Sequence, residues 1–316
     1  MNHEATKMKT RFGLAGFGLT AFVLWIAFAP LVLAAEVGTT FASPEDAAQA
    51  LATAAGASDR EALRALFGLA TDELVAADPV QATNDLQKFS EAYEVKHRLT
   101  AHSEAEMILE IGNDNWPFPI PLAKKGGRWF FDTEAGKQEL LNRRIGRNEL
   151  ATLSSVRAYV DAQREYASRD RNGDEVLQYA QKFASTPGKK DGLYWPPELD
   201  GEISPLGPLV AQAKSEGYRK KGTDEPVPYH GYYFKILTRQ GRHAPGGRYN
   251  YIINRNMIAG FALVAWPAQY GESGIMTFIV NQQGRVYQKD FGPKTGKVAP
   301  AMKEYDPDPT WRLSPD

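Results

Sequence analysis

Residues 143–169 read RRIGRNELATLSSVRAYVDAQREYASR. Leu153, Val156, Val160, Gln163 and Ala167 recur at intervals of three and four. That spacing lays them in one stripe along a helix and turns Arg157, Asp161, Arg164 and Glu165 away from it. Counted from Glu134, the helical pattern runs about 36 residues, ~54 Å at 1.5 Å per residue, with Gly136 and Gly146 as points where it can bend. An amphipathic helix of that length needs a surface to lie on. The segments after it, rich in aromatic and β-branched residues, supply one.

Working outward, the following chain alternates turns with short β patterns. Ser185-Thr186-Pro187-Gly188-Lys189-Lys190-Asp191-Gly192 is dense in turn formers, and residues 208–216 read as a short helix. Five strands are expected at 232–237, 249–254, 261–265, 276–280 and 285–290. Asn281-Gln282-Gln283-Gly284 joins the last two as a hairpin with glycine where a positive φ is needed. Short connections favour an antiparallel sheet, whose apolar face seats the long helix.

Before the long helix, Ser43-Pro44-Glu45-Asp46 reads as an N-cap, a proline at the first helical position and acids in the first turn. An alanine-rich helix follows to about residue 55. Ser58 and Glu61 have the spacing of a capping box for a second helix closed by Gly68, and a third is expected over 84–91. Strand patterns at 93–100, 106–111, 118–124 and 128–132 then form an antiparallel meander, with Lys124-Lys125-Gly126-Gly127 as a tight turn. The fold class is therefore α+β. N-terminal helices and a meander form a small unit over 41–132, and a long helix packed on an antiparallel sheet fills 133–316.

Residues 1–35 carry a separate message. Lys7, Lys9 and Arg11 precede 24 uncharged residues from Phe12 to Ala35, and Val32-Leu33-Ala34 places small residues near the end. This is the pattern of a secretory signal peptide, so the remainder is expected in the periplasm or medium. The competing reading is an uncleaved inner-membrane anchor, since 24 uncharged residues are long enough to span a bilayer. Contact with the membrane is expected only through this segment.

Composition closes off several chemistries. Net charge is −1 for the whole chain, and without the first 35 residues the balance is 34 basic to 37 acidic. No basic excess exists to attract nucleic acid. Zero cysteines exclude disulfides, thiolate metal sites and a thiol nucleophile. Gly292-Pro293-Lys294-Thr295-Gly296-Lys297-Val298 is one spacer short of a phosphate-binding loop, and Val298 replaces the hydroxyl that would hold magnesium. Asp170-Arg171-Asn172-Gly173-Asp174 starts like a calcium loop, but its glycine comes early and Gln181 stands where a bidentate Glu is needed. No cofactor or metal is called for.

The candidate ligand-binding residues are His230, Trp195, Trp116, Trp266 and Tyr233. His230 enters a strand among aromatics, in Pro228-Tyr229-His230-Gly231-Tyr232-Tyr233. The plainer reading makes it a hydrogen-bonded structural residue. Trp116 begins Trp116-Pro117-Phe118-Pro119-Ile120-Pro121, whose alternating prolines enforce an extended course. It reads as a docking strip, as an aromatic ligand wall, or as an edge strand protected from further pairing. The run Arg143-Arg144-Ile145-Gly146-Arg147-Asn148-Glu149 suits a grip on an anion or, alternatively, internal pairing with Glu149 as one acceptor.

Several strings carry a resemblance. Trp116-Pro117-Phe118-Pro119-Ile120-Pro121, Asn142-Arg143-Arg144-Ile145-Gly146-Arg147-Asn148-Glu149-Leu150 and Asp191-Gly192-Leu193-Tyr194-Trp195-Pro196 are three of them. His230-Gly231-Tyr232-Tyr233-Phe234, Gly260-Phe261-Ala262-Leu263-Val264-Ala265-Trp266-Pro267 and Thr277-Phe278-Ile279-Val280-Asn281 complete the set. Together the chain resembles, over about 41–311, an exported bacterial family catalogued as domain of unknown function 2950. That resemblance implies no activity and assigns no functional residue. The last 170 residues or so also resemble, at the level of fold, the globular part of pilins and pseudopilins, where a helix leads into an antiparallel sheet. The chain departs from that pattern because a folded region precedes Glu149 where a pilin has its membrane-embedded half-helix.

Two functions compete. One is a non-catalytic envelope protein that binds a protein or glycan partner, favoured by export and by the Trp-Pro strips. The other is a hydrolase acting on an envelope polymer, with His230 and Asp224 or Glu225 as acid and base and Trp195 or Trp266 stacking on sugar rings. A perturbed His or carboxylate in a cleft would discriminate them.

Overall fold

The N-terminal helices follow the caps. In the structure, a computed structural model describing residues 38–68, 71–76, 78–199, 201–218 and 227–315, helix α1 spans Pro44–Gly56, and Ser43 accepts the Asp46 amide as N-cap. The second helix, α2 (Arg60–Phe67), is capped differently from the expected box. Asp59 takes the cap and accepts the Glu61 and Ala62 amides, while Ser58 sits at φ +52° in the turn between the helices. After a single turn, α3 (Thr71–Leu74), the third helix is twice the expected length: α4 runs Pro79–Val95. Asp78 caps it with hydrogen bonds from the Val80 and Gln81 amides, and Pro79 opens it. Its far end absorbs Tyr93, which the β-like composition of 93–100 had assigned to a strand.

The meander follows as β1 (His97–Ser103), β2 (Glu106–Ile111), β3 (Trp116–Pro117), β4 (Leu122–Lys125) and β5 (Arg128–Phe131). Hydrogen bonding runs β1-β2-β4-β5, with β3 added to β2. Leu109, Ile111, Ile120, Leu122 and Phe131 close a core with Ala47, Ala48, Leu51, Leu63 and Phe67 from the helices. The small side chains of α1 let α4 approach closely, and each fully buried Leu or Phe contributes about 1.5–3 kcal/mol.

Helix α5 (Thr133–Tyr166) continues through Gly136 and Gly146 without interruption. It leads to a second core. Helix α6 (Gly207–Ser215) is followed by β6 (Tyr232–Leu237), the short β7 (Arg239–Gln240), β8 (Tyr249–Asn250), β9 (Ile252–Ile253) and β10 (Asn256–Met257), then β11 (Ala262–Pro267), β12 (Thr277–Asn281) and β13 (Tyr287–Lys289). A last helix, α7 (Thr295–Ala301), precedes β14 (Arg312–Leu313). The main sheet has the order β14-β13-β12-β11-β6 and is antiparallel throughout. Val264, Ile279 and Val280 are fully buried, and Val156 and Val160 of α5 join the same core. The chain is thus α+β, with a long helix on a C-terminal antiparallel sheet. The described residues belong to one compact unit holding two hydrophobic cores, and among them no helix is long and apolar enough to cross a membrane.

Polar side chains of α5 fasten the loops around it. Gln163, fully buried, donates to the Ala180 carbonyl and accepts the Ala180 amide, both at 2.8 Å. Glu149 accepts the Ile275 and Met276 amides at 2.9 Å, and no arginine of its own run reaches it. Those arginines pair elsewhere: Arg143 with Glu139, Arg147 with Asp85, and Arg144 with the carbonyls of Leu74 and Val75.

Candidate functional site

A cleft of about 700 Å³ opens among α2, α3, α4, the Trp116–Ile120 strip and the first half of α5. Its walls are Leu51, Leu63, Phe67, Leu86, Phe89, Phe118, Ile120 and Leu140, with aromatic contacts Phe67–Phe118 at 6.3 Å and Phe89–Phe118 at 5.3 Å. The proline-rich strip explains the wall. Trp116 and Pro117 pair with β2, after which Phe118 and Ile120 turn inward. Residues on one side of α5 bring Arg143, Arg144 and Arg147 to the same cleft, and α2 adds Arg60 and Arg64.

The arginines differ in their surroundings. Arg143 donates to Glu139 and to the Pro117 carbonyl and lies 4.9 Å from the Trp116 ring. Arg147 meets Asp85 at 2.9 Å. Arg144 is only 5% exposed; burial lowers its affinity for its proton, an effect opposed by Asp85 and Glu272 and reinforced by Arg147.

A second polar group forms around His230. Tyr229 and Tyr232 exchange backbone hydrogen bonds, and the two residues between them have positive φ, +48° at His230 and +73° at Gly231. That is the pattern of a two-residue hairpin turn of type I′. Gly231 is required there twice over, because a Cβ would come within 2.8 Å of Asn148 Nδ2 and 2.9 Å of Ser273 Cβ. The turn places His230 Nε2 3.0 Å from Glu216 Oε2. Nearby, the Tyr218 hydroxyl donates to Asp78 at 2.6 Å and accepts the His230 amide at 3.2 Å. Burial and the Asp78 carboxylate push the Tyr218 phenol well above its ordinary range.

The five residues singled out from the sequence do not converge. Tyr233 and Trp266 face each other across β6 and β11 with rings 5.9 Å apart, both half-buried. His230 is in the turn before β6. Trp195 is 1% exposed; its indole donates to the Glu202 carbonyl, and Arg171 and Lys190 lie 5.5 and 5.4 Å from its ring. Its faces are occupied from within the fold. Trp116, 43% exposed, is the member that borders the large cleft. Asp224 and Glu225 lie outside the described residues. In the loop that starts like a calcium site, Asp170 accepts the amides of Asn172, Gly173 and Glu175. Among the described residues no group of three or more His, Asp or Glu side chains is placed to hold a metal ion.

Sequence reasoning named the arginine run and Trp116 but missed the opposite wall of the cleft, Leu86 and Phe89 on α4. The available signal was Asp78-Pro79, an N-cap and N1 proline that start α4 five residues before the expected helix.

The fold and cleft define a two-core α+β protein with an apolar recess rimmed by arginine. A family model described as a protein of unknown function, DUF2950, matches residues 38–313. The chain belongs to that family. No curated protein and no solved structure matches it.

Proposed function

We propose that this chain is an exported, non-catalytic binding protein of the cell envelope, and that it takes its ligand in the cleft beneath the N-terminal helices. The observation that carries this reading is the cleft itself. Its 700 Å³ lies in the usual range for ligand sites, and its apolar walls carry a few polar groups at one side. Such a lining suits an apolar ligand, or apolar side chains of a protein partner, better than a glycan. Export is supported by the charged and apolar pattern of residues 1–35.

Ala82 lines the cleft from α4, so Ala82→Trp should fill it. A neutral solvatochromic dye such as Nile red should bind wild type at one saturable site and lose that site in Ala82→Trp. Equal dye binding by a folded Ala82→Trp protein would sink the reading.

A hydrolase remains the second reading, because His230 and Glu216 form a 3.0 Å pair beside the Tyr218–Asp78 hydrogen bond. Under the binding reading, His230→Ala leaves dye binding unchanged and releases no less product from envelope material than wild type. A folded His230→Ala protein that has lost hydrolysis seen in wild type would favour the enzyme instead.

A further inference from the structure

We infer that the cleft takes a single-chain amphiphile with an anionic head, its tail among the apolar walls and its head at Arg144. This rests on the cleft being the binding site and concerns only the chemistry of what occupies it.

Charge is the first observation. The whole chain is nearly neutral at −1, yet among the described residues six basic side chains and two acidic ones, Glu61 and Asp85, line the cleft. Asp85 is already engaged with Arg147 at 2.9 Å. The local field therefore favours an anion even though the molecule as a whole does not.

Arg144 is the second. Arg144 is 5% exposed, and its hydrogen bonds go to two neutral carbonyls, Leu74 and Val75, while the carboxylates of Asp85 and Glu272 act on it only through space. A guanidinium has five donors, and withdrawing its charge from water is costly unless an opposite charge meets it. A carboxylate or phosphate head supplies that charge and matches the planar donor fork. A bare inorganic anion would leave the walls formed by Leu86, Phe89, Phe118 and Leu140 unused. A neutral alkane would bring no charge to the Arg144 donors, which Asp85 and Glu272 offset only through space. Only a molecule with both parts answers both features.

The test uses the full chain as it accumulates in a bacterial host, extracted without detergent and freed of bound lipid by solvent exchange. A fluorescent polyene fatty acid is bound and then displaced with palmitate, with a one-chain lysophospholipid, and with hexadecanol, which has the palmitate tail but no charge. Palmitate or the lysophospholipid should displace the probe at least tenfold more tightly than hexadecanol, and the tighter of the two identifies the source of the head group. Arg144→Gln should weaken the anionic ligands about tenfold and leave hexadecanol within twofold, while Ala82→Trp should abolish all three. If Arg144→Gln does not fold, the comparison of palmitate with hexadecanol on wild type still decides. Equal displacement by the charged and uncharged chains overturns the inference, and so does a folded Arg144→Gln protein with wild-type palmitate affinity. Either result, with Nile red still bound in the cleft, leaves the binding reading standing; loss of both takes it down as well.

Discussion

Asp191 closes the loop after β-turn residues 186–189 with both carboxylate oxygens. One accepts the Thr186 amide at 2.7 Å; the other accepts the Thr186 hydroxyl at 2.9 Å and the Lys182 ammonium at 2.7 Å. Burial alone would raise its pKa, but these hydrogen bonds and the Lys182 charge outweigh it and hold the group at about 2. An unfolded Asp titrates near 3.9. The folded value is the lower one, so the stabilisation is present above about pH 4 and is lost as pH falls from 4 towards 2. Asp191→Asn should therefore cost about 1–2 kcal/mol in urea unfolding at pH 7, discounted for the half-exposed Lys182, and almost nothing near pH 2. A constant difference across that range would show that the charge is not what matters. Gly284 is a residue-scale case of a different kind. It takes φ +77° in the 281–284 turn, and an added Cβ would lie 3.4 Å from Arg164 Nη2. Gly284→Val should cost more than about 1 kcal/mol, read as a lower urea midpoint, because a β-branched residue is poorly tolerated at positive φ.

At the scale of the element, α5 shows what periodicity conveys. Leu153, Val156, Val160 and Gln163 of the expected stripe are all buried, whereas Arg157, Asp161, Arg164 and Glu165 are exposed. Val160→Asp should destabilise by about 3–5 kcal/mol, since it forces a charge into the interface with the sheet, and Arg157→Asp should stay within about 1 kcal/mol. Similar midpoints for the two variants in chemical denaturation would mean the helix lies on a different face. The buried face is wider than the stripe, however, and takes in Thr152, Ser155, Tyr159, Ala162 and Tyr166. A hydrophobic pattern has no way to display this, because part of that face is satisfied by specific hydrogen bonds. Tyr159 donates to the Ala262 carbonyl at 3.1 Å, and Gln163 grips both backbone groups of Ala180. The β12–β13 hairpin was legible because Gly284 and its short loop fix it locally, whereas the segment expected as one strand at 249–254 divides between two small sheets and leaves β11 to pair directly with β6. The cleft was only half legible. Its arginines lie within one helical run, but Leu63, Phe67 and Phe89 reach it from helices whose relative placement no local signal encodes.

For the molecule as a whole, a polar seam joins the two cores. Asn148 is fully buried at the middle of α5; its amide donates to the Ser273 carbonyl at 2.9 Å and its oxygen accepts from Gln81 of α4 at 2.5 Å. Beside it, Asp78 caps α4 with one oxygen and accepts from Tyr218 with the other, and Asn84 donates to the Glu216 carbonyl. Each contact links a residue near the first core to one near the second, so the seam couples their stabilities. Asn148→Leu keeps the volume but strands a buried carbonyl and a buried amide, at a cost of about 2–3 kcal/mol. The expected consequence is more than a lower midpoint. With the central tie removed, hydrogen exchange in rising urea should show α1 and α4 losing protection before β11 and β12, where wild type loses both together. If Asn148→Leu instead unfolds as one unit at the wild-type midpoint, the coupling resides in the continuous backbone of α5 and not in the seam.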